Sequence, residues 1–495
     1  MTEALPTNFQ LLINGRFVDG SAGSSSVFNP STGKVFAQAP DAGEDQVAEA
    51  IWAAREAQPK WGMKAPLERA AIMRQIAKLI RRDAELLATV LVMEQGKPIN
   101  EARGEVAEAA EFFDYFAEFA RRIQGEILPS DFPGEQIWIQ RVPVGVVVAI
   151  LPWNYPCGLV SRKVAPALIA GNTIVVKPHE ETPLTALMMM RLFVEAGVPD
   201  GVVNVVSGAG ETVGAGLVGR PDVDLITMTG SVATGKRIMS SAAGNLTAVS
   251  LELGGKAPFI VMDDADMEHA VAAAVTSRYM NCGQVCVCNE RTLVHRSRYD
   301  EFVERFIAMT RTLTVGDPMK TTTDIGPKIS SRERDKVEKM LAKAVADGAE
   351  IAFGGGRPQR EDLADGFFMN PTVLTNVTPD MDIMTDEIFG PIVPIMPFDT
   401  FEEAVAIANN SRYGLSAYLF TNDFSKIMAA VSDVSFGEIY VNRSAGELLQ
   451  AYHVGYRESG PGGDDGVHGL DKYLRKKTVY VNYSGKPTAG LMPFR

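Results

Sequence analysis

Cysteine and histidine are scarce in this chain, with four and five copies in 495 residues. Four cysteines are too few for the disulfide framework of a small secreted protein, so the composition favours a reducing compartment. Three of them lie close together, at Cys282, Cys286 and Cys288. This cluster offers three thiolates to zinc, but its spacing is not that of common zinc sites and few histidines are available to complete one. We therefore predict no metal, and we interpret Cys282 and Cys288 as small buried hydrophobic residues, with Cys288 near enough to Cys286 for oxidative pairing.

Long apolar runs and clustered positive charge are also missing. The longest apolar run, from Val142 to Trp153, is too short to span a membrane and is interpreted as a buried strand. The start, Met1-Thr-Glu-Ala-Leu-Pro, does not have the pattern of a secretory signal. A formal net charge of −13 gives little electrostatic attraction to nucleic acid or to an anionic membrane. The sequence therefore predicts a cytoplasmic protein that binds neither.

The length and a mean hydropathy near zero predict a globular protein of two or three domains. Apolar residues at three- and four-residue spacing predict long surface helices over 45–58, 66–92 and 100–122. From Gly145 onwards, short strands alternate with helices, which is typical of a doubly wound parallel α/β sheet. A second such stretch, from Pro258 to about Pro397, predicts a second α/β domain that carries Cys286. The predicted strands are 146–151, 173–177, 202–206 and 225–229, and the predicted helices are 183–195, 266–279, 299–311 and 331–347.

Two glycine-rich segments compete as the phosphate-binding loop of a dinucleotide site. Gly214-Ala-Gly-Leu-Val-Gly219 matches the pattern G-x-G-x-x-G, but it lies inside a stretch predicted to be helical rather than between a strand and a helix. Thr229-Gly-Ser-Val-Ala-Thr-Gly235 follows a predicted strand and opens a helix, so its backbone N–H groups are placed to face a pyrophosphate. We predict that the second segment binds the phosphates.

The segment Asn281-Cys-Gly-Gln-Val-Cys-Val-Cys288 places Cys286 behind a Gly-Gln turn, and Glu252-Leu-Gly-Gly-Lys256 lies upstream of it. A thiol with an ordinary pKa of about 8.5 is only slightly ionised at neutral pH, so its surroundings must help it to attack a carbonyl. A separate carboxylate that activates water divides one difficult reaction into a covalent adduct and its hydrolysis. The two segments together predict a thiol nucleophile, Cys286, with a separate general base, Glu252.

Six sequence blocks resemble the aldehyde dehydrogenase superfamily, and the likeness runs from about Leu12 to about Val481. Within the superfamily, the chain is most similar to bacterial lactaldehyde/glycolaldehyde dehydrogenases, through Gly125-Glu-Ile, Gly455-Tyr-Arg-Glu-Ser459 and His468-Gly-Leu470. The six blocks are Pro152-Trp-Asn-Tyr-Pro156, Val176-Lys-Pro-His-Glu180, Thr229-Gly-Ser231 with Gly235, Glu252-Leu-Gly-Gly255, the Cys286 segment, and Glu387-Ile-Phe-Gly-Pro391.

The resemblance implies a fold of two doubly wound α/β domains and a small β oligomerisation element. The cofactor-binding domain is expected over residues 1–130 and 150–253, the catalytic domain over 254–465, and the oligomerisation element over 131–149 and 466–495. Residues 136–142 and 478–482 alternate as strands do, and in the family such strands pair between subunits. The resemblance therefore implies a dimer or a tetramer.

The implied reaction is the NAD-dependent oxidation of an aldehyde to a carboxylic acid. Cys286 adds to the aldehyde, Asn154 and the backbone N–H of Cys286 hold the oxyanion, and water activated by Glu252 cleaves the thioester. Acylating relatives, which pass the acyl group to coenzyme A, typically lack this glutamate, so hydrolysis is favoured. The alternatives are a zinc-dependent activity and a catalytically silent binding protein, which would be expected to lack one of these three residues.

NAD is the implied cofactor, because the Glu180 carboxylate accepts bonds from ribose hydroxyls and repels a 2′-phosphate. A cationic imidazole at His179 would tolerate that phosphate, so NADP stays open. A surface ion pair is the alternative interpretation of Lys177 and Glu180. The residues implied to bind the cofactor are Trp153, Lys177, Glu180, Gly230, Ser231, Gly235, Leu253, Glu387 and Phe389.

The implied substrate residues are Tyr155, Arg162, Glu447 and His453, of which the last three match polar positions in the lactaldehyde enzymes. Ionisable groups in a pocket are costly unless a polar substrate or each other satisfies them, so a structural ion-pair cluster is the alternative. The resemblance implies a small hydroxyaldehyde such as lactaldehyde or glycolaldehyde.

Three departures from those relatives predict a wider and drier pocket. Val287 replaces a polar residue beside the nucleophile, Cys157-Gly158 replaces two aromatic residues, and Ser444-Ala-Gly446 replaces a bulkier stretch of acidic, amide and aromatic residues. A larger semialdehyde or an aromatic aldehyde therefore stays open as the substrate.

Overall fold

A computed structural model describes residues 8–486, and the predictions that fall on residues 1–7 and 487–495 lie outside this range. No helix within 8–486 is long and apolar enough to cross a membrane. The strands are β1 (Leu11–Ile13), β2 (Arg16–Val18), β3 (Ser24–Asn29), β4 (Lys34–Pro40), β5 (Glu126–Pro129), β6 (Glu135–Pro143), β7 (Val146–Ile150), β8 (Thr173–Lys177), β9 (Val203–Val205), β10 (Leu225–Thr229), β11 (Ala248–Glu252), β12 (Ala257–Val261), β13 (Asn289–His295), β14 (Glu350–Phe353), β15 (Thr372–Thr375), β16 (Ile392–Phe398), β17 (Ser416–Phe420), β18 (Glu438–Val441) and β19 (Leu474–Asn482).

The α-helices lie between these strands and cover both faces of the two large sheets. They are α1 (Glu44–Met63), α2 (Pro66–Arg82), α3 (Ala84–Gln95), α4 (Ile99–Ala117), α5 (Pro156–Ala170), α6 (Leu184–Glu195), α7 (Ala215–Val218), α8 (Val232–Ala243), α9 (Met267–Tyr279), α10 (Tyr299–Thr310), α11 (Ser331–Ala346), α12 (Asp382–Thr385), α13 (Phe401–Asn409), α14 (Phe424–Asp433) and α15 (Gly466–Asp471).

The first sheet has seven strands in the order β11-β10-β7-β8-β9-β1-β2. β11 to β9 run parallel, whereas β1 and β2 add antiparallel strands at one edge. The chain winds outward in one direction from β7 to β9 and in the other from β10 to β11, so the direction of winding changes between β7 and β10. In doubly wound sheets, ligands bind outside the carboxyl ends of the strands at such a switch point.

The second sheet also has seven strands, in the order β14-β15-β16-β13-β12-β17-β18. All of its neighbouring pairs are parallel except β14 with β15. Hydrophobic cores fill both faces of each large sheet, with α2 to α6 opposite α1, α7 and α8 on the first and α9 and α10 opposite α11 to α14 on the second. The predicted fold class, two doubly wound α/β layers, is confirmed.

The third sheet is antiparallel, in the order β19-β6-β5. β6 and β19, which were expected to pair between subunits, pair with each other in register from Leu474 opposite Pro143 to Asn482 opposite Glu135. Any pairing between subunits therefore has to use a remaining edge of this sheet, and the oligomer and the domain boundaries stay predictions.

The single helix predicted over 66–92 is wrong, because the chain breaks at Asp83 into α2 and α3. Asp83 has φ −101° and ψ 20°, outside the helical range, and its carboxylate accepts two hydrogen bonds from Arg82. Asp83 ends α2 by donating its N–H to Leu79 O at 3.1 Å, and its carbonyl accepts from Leu87 N at 3.0 Å in the first turn of α3. α3 is also not a surface helix, since Leu87 and Leu91 are fully buried in the core.

Candidate active site

Asn154, Glu252 and Cys286 line one cavity of about 200 Å³. Asn154 follows β7, Glu252 is the last residue of β11, and Cys286 lies in the loop before β13. The cavity therefore lies where the carboxyl ends of first-sheet strands face the amino ends of second-sheet strands. The fold brings together the predicted oxyanion donor, general base and nucleophile from distant parts of the chain.

The loop that carries Cys286 begins with a left-handed turn. Asn281, Cys282 and Gly283 have φ angles of 48°, 57° and 70°, and non-glycine residues rarely adopt this conformation. Asn281 Nδ2 donates to the backbone oxygen of Asn154 at 3.0 Å. The loops of the nucleophile and of the oxyanion donor are thus joined by a direct hydrogen bond.

Burial raises the pKa of the half-buried Cys286 thiol above its ordinary value, although His453 acts to lower it. The pKa of the thiol is not lowered, so ionisation of Cys286 requires a base that accepts its proton. Burial raises the pKa of Glu252 to about 7. Neither oxygen of this buried carboxylate has a hydrogen-bond partner among the described residues, so both are open to a thiol or a water.

Asn154 is held through its backbone, which leaves part of its side chain available. Its Nδ2 donates to the carbonyl of Gln284 at 3.1 Å, and this uses one of two amide N–H groups. Lys97 Nζ donates to the Asn154 carbonyl at 2.9 Å and to Glu105 Oε2 at 2.5 Å, and it lies 3.6 Å from the centroid of the Tyr155 ring. The loop after β7 is therefore fixed to a buried ion pair that also supports Tyr155, a residue of the cavity wall.

Arg162 on α5 forms the cationic part of one cavity wall, and it is already neutralised. Its guanidinium donates to both oxygens of the Asp465 carboxylate, from Nη2 to Oδ2 and from Nε to Oδ1 at 2.9 Å. Nη2 also donates to Glu447 Oε2 at 3.1 Å. Two carboxylates therefore face one guanidinium before any substrate binds.

His453 lies between carboxylates on the same side of the cavity. Its Nδ1 is 3.0 Å from Glu438 Oε1 and 3.6 Å from Glu447 Oε1, and its Nε2 is 3.7 Å from Glu252 Oε2. Burial lowers the pKa of His453, but these carboxylates outweigh burial and raise it well above the ordinary value. The imidazole is therefore protonated at neutral pH and can donate a hydrogen bond.

The segment after β10 forms a helix N-terminus at the switch point of the first sheet. Ser231 caps α8 by accepting from Thr234 N at 3.2 Å, and Gly230 N donates to the backbone oxygen of Glu252 at 2.9 Å. A Cβ atom at Gly235 would lie 2.7 Å from the terminal carbons of the Leu253 side chain, so a larger residue there would have to displace this side chain. By contrast, Gly214 to Gly219 lie in a π-helical turn, Gly210–Gly214, and α7, as the sequence predicts.

Lys177 ends β8, and its Nζ lies 3.3 Å from Glu180 Oε2. Glu180 remains partly exposed, whereas Lys177 is buried. The interpretation of His179 as a cationic neighbour is wrong, because burial lowers its pKa to about 4. The imidazole is neutral at physiological pH, and its Nδ1 accepts from the N–H of Glu181 at 3.2 Å.

Glu387 and Phe389 approach the cavity from the segment before β16. Glu387 Oε1 accepts from Gly255 N at 2.9 Å, and the Phe389 ring packs edge-on against Trp153 with centroids 5.4 Å apart. These residues join the segment before β16 to the segment that follows Glu252 and to the loop after β7. Three residues implied to bind the cofactor, Trp153, Glu387 and Phe389, therefore belong to this junction.

The aldehyde dehydrogenase family model matches residues 17–479. The chain belongs to this family. It is 44% identical over 97% of its length to lactaldehyde dehydrogenase of Escherichia coli (strain K12), of which it covers 99%. Among solved structures, it matches 3,6-anhydro-L-galactose dehydrogenase in complex with NADP at 45% identity and a TM-score of 0.94, covering 96% of this chain and 100% of that one. Betaine aldehyde dehydrogenase from Staphylococcus aureus in complex with NAD+ matches at 37% identity and a TM-score of 0.95, covering 98% and 97%.

The two glycines of the Glu252 block in this aldehyde dehydrogenase are needed for close approach rather than for a turn. Neither Gly254 nor Gly255 has a positive φ angle. A Cβ atom at Gly254 would lie 2.4 Å from Glu387 Oε2, and one at Gly255 would lie 2.4 Å from the backbone oxygen of Cys286. Gly255 thus lets the segment after Glu252 contact the loop that carries Cys286.

Gly255→Ala is expected to lower kcat by roughly 100-fold or more, because a methyl group would push the Cys286 backbone away and misplace the thiol. Steady-state rates of cofactor reduction check this, with Gly216→Ala as the control. A Cβ atom at Gly216, in α7, would meet Val47 at an ordinary 3.5 Å. Unchanged activity of Gly255→Ala would show that the close contact does not position the nucleophile.

Several site residues of this aldehyde dehydrogenase escaped the sequence interpretation. Asp465 accepts hydrogen bonds from Arg162, Glu438 is hydrogen-bonded to His453, and Glu108 lines the cavity. Asp465 belongs to a Gly-Gly-Asp-Asp-Gly segment and has φ 65°, which is unusual for aspartate. That glycine-rich acidic segment was the one signal in the sequence that pointed to it.

The cysteines other than Cys286 are buried, as predicted for Cys282 and Cys288. Among residues 8–486, the one group whose possible ligand atoms lie within 4.8 Å of one another is Glu438, Glu447 and His453. The three clustered cysteines do not form such a group, so their geometry does not support the zinc interpretation. His453 already bonds Glu438 within that acidic group.

Proposed function

We propose that this aldehyde dehydrogenase oxidises a neutral hydroxyaldehyde to the carboxylic acid through a covalent Cys286 adduct, with NAD as the hydride acceptor. The observation that carries the proposal is the meeting in one cavity of a thiol, an amide donor and a carboxylate of pKa about 7 that has no hydrogen-bond partner among the described residues. These three groups are what a two-stage acyl oxidation and hydrolysis requires. They also count against a catalytically silent protein.

The residues at the switch point fit a dinucleotide. α8 offers the unpaired N–H groups of its first turn to a pyrophosphate, and Gly235 allows its close packing on β11. Lys177 and Glu180 lie at the end of β8, where a ribose would be held, and Trp153, Glu387 and Phe389 lie on the side towards Cys286. The partly exposed Glu180 carboxylate and the neutral His179 favour NAD over NADP, because a 2′-phosphate would meet a negative charge.

The first stage forms a carbon–sulfur bond. Cys286 Sγ adds to the aldehyde carbon, its proton passes to a base, for which Glu252 is placed, and the free Asn154 N–H donates to the new oxyanion. A bound NAD would supply the acceptor for the hydride of this carbon, and loss of that hydride would leave a thioester on Cys286. Once Glu252 has released that first proton to solvent, it accepts a proton from water, and the water oxygen attacks the thioester carbon. The carbon–sulfur bond then breaks, the acid departs, and the proton on Glu252 restores the Cys286 thiol.

The charged wall supports a neutral substrate. Arg162 is neutralised by Asp465 and Glu447. A carboxylate group on the substrate would therefore lie beside negative charge rather than beside a free cation. The protonated His453 and the Glu447 carboxylate can respectively donate to and accept from a hydroxyl group. This arrangement supports lactaldehyde or glycolaldehyde over a semialdehyde, although Val287 and Gly158 make the opposite wall less polar.

A larger neutral hydroxyaldehyde is the second candidate substrate. A Cβ atom at Gly158 would meet only Glu105, at 3.5 Å, so the cavity has room at this point. The likeness to a 3,6-anhydro-L-galactose dehydrogenase at 45% identity supports the same candidate. This alternative keeps the chemistry and changes only the size of the aldehyde.

Purified protein is expected to form NADH faster than NADPH, with a kcat/KM at least roughly tenfold higher for hydroxyaldehydes than for succinic semialdehyde, because of like-charge repulsion. The panel is glycolaldehyde, lactaldehyde, 3,6-anhydro-L-galactose, succinic semialdehyde and benzaldehyde. Glu447→Gln removes one of the two charges that neutralise Arg162, so it should improve the relative efficiency of the semialdehyde. A wild-type preference for succinic semialdehyde or benzaldehyde would overturn the substrate assignment.

A further inference from the structure

A buried carboxylate outside the catalytic cavity connects the segments that form it. Glu290, the second residue of β13, is 1% exposed. Its Oε2 accepts from Lys256 Nζ at 2.8 Å and from Ile388 N at 2.8 Å, and its Oε1 accepts from Arg278 Nη1 at 3.0 Å and from Phe389 N at 3.2 Å. Four N–H donors, two of them charged, thus converge on one ionised carboxylate, and the Cys288 thiol lies 3.9 Å from its Oε1.

The two cations extend this network to the neighbouring segments. Arg278 Nη2 donates to the backbone oxygens of Gly283 at 3.1 Å and of Gly390 at 2.6 Å. Lys256 Nζ donates to the backbone oxygen of Ile383 at 2.9 Å. The loop of the nucleophile, the end of the Glu252 block and the segment 383–390 are therefore tied to one buried centre.

Phe389 is the residue on which these bonds act most directly. Its φ angle is 52°, a left-handed conformation that is an outlier for a bulky side chain. Its N–H is held by Glu290, its carbonyl accepts from Lys328 Nζ, and its ring lies against Trp153. Strained backbone persists only where the surrounding structure enforces it, and it clusters at functional sites.

We propose that Glu290, Lys256, Arg278 and Lys328 form a clamp that holds Phe389 in its left-handed conformation and thereby positions Glu387 and Phe389 against the nicotinamide half of the cofactor. The clamp rests on the function proposed above. It makes these four side chains positioning residues, since they act through Phe389 and do not line the cavity.

The competing interpretation is that the cluster only stabilises the fold. Buried ion pairs are often neutral for stability relative to hydrophobic residues of the same shape, so a stabilising role is not required to explain them. A purely structural role would change the melting temperature and the folded fraction. A clamp would in addition change cofactor binding and hydride transfer in protein that remains folded.

Glu290→Gln and Lys328→Met are the two test variants, because the first removes the charge and one of the two acceptor oxygens that hold the Phe389 segment and the second removes the donor to the Phe389 carbonyl. Both are expected to raise the Kd for NAD, measured by calorimetry without aldehyde, and to lower kcat/KM for NAD by roughly 10- to 100-fold through misplacement. The deuterium isotope effect with aldehyde labelled at the carbonyl carbon should increase. Hydrogen exchange of residues 383–390 in cofactor-free protein should accelerate in both variants.

Glu94→Gln is the matched control. Glu94 is fully buried and accepts from Leu184 N at 2.7 Å and Thr185 N at 2.9 Å, away from the cavity. This variant should leave the NAD affinity and the isotope effect unchanged. If folded Glu290→Gln and Lys328→Met also left both unchanged, the clamp would be overturned. Wild-type protein that bound no NAD would instead sink the proposed function, and hydrogen exchange would still decide whether the clamp holds its segment.

Discussion

Cys286→Ala is expected to lower kcat by about 10⁴-fold or more with every aldehyde, because it removes the atom that forms the covalent bond. The thiol lies in the cavity with Glu252 and Asn154, and residues 8–486 place no other cysteine in the wall of that cavity. Rates of NADH formation measure the loss. The Kd for NAD should change little, since the thiol is not needed to bind the cofactor.

Cys288→Ala is the control for this variant. Cys288 is two positions away and fully buried, with its thiol near the backbone oxygen of Gly283 at 3.6 Å. Its replacement should leave most of the activity, and wild-type protein should be inactivated by a thiol alkylator and insensitive to chelators. Cofactor reduction that survives in Cys286→Ala, or that a chelator abolishes, would refute the thiol mechanism and revive a metal-dependent one.

Local features of the fold were predictable because neighbouring residues determine them. The strands Thr173–Lys177 and Leu225–Thr229 have the predicted bounds, since short apolar runs between turn residues form buried strands. The segment predicted to bind the phosphates lies between β10 and α8, as its strand-to-helix position in the sequence indicated. The break at Asp83 was missed because helical periodicity continues through it, and only the backbone angles of Asp83 in the structure show where α2 ends.

The electrostatics of the site were less predictable, because they depend on partners far apart in the chain. Arg162 and Asp465 are separated by 303 positions, and no local pattern joins them. The charge of His179 depends on burial, which a single sequence does not show, and so does the raised pKa of Glu252. The prediction of the three catalytic residues came from motifs; their mutual arrangement came only from the fold.

Glu252→Gln is expected to separate the two stages of the reaction. Without the carboxylate, water cannot be activated to cleave the thioester, so the steady-state rate should fall by about 10²- to 10⁴-fold. The acyl-enzyme should accumulate, and a pre-steady-state burst of NADH should remain if Glu252 acts mainly in hydrolysis. If the rate of the NADH burst fell as much as the steady-state rate, Glu252 would also be the group that takes the Cys286 proton. Rapid mixing under single-turnover conditions distinguishes these results.

The pH dependence of kcat also tests whether Glu252 is the base. The base must be ionised to accept a proton, and burial raises the pKa of Glu252 to about 7. Wild-type kcat should therefore decline as the pH falls through about 7, whereas the residual rate of Glu252→Gln should not show this step. Glu94→Gln is again the matched control, because burial also raises the pKa of Glu94 to about 7 but its carboxylate lies outside the cavity. If Glu94→Gln lost the step, or if Glu252→Gln kept both the step and the full rate, Glu252 would not be the base.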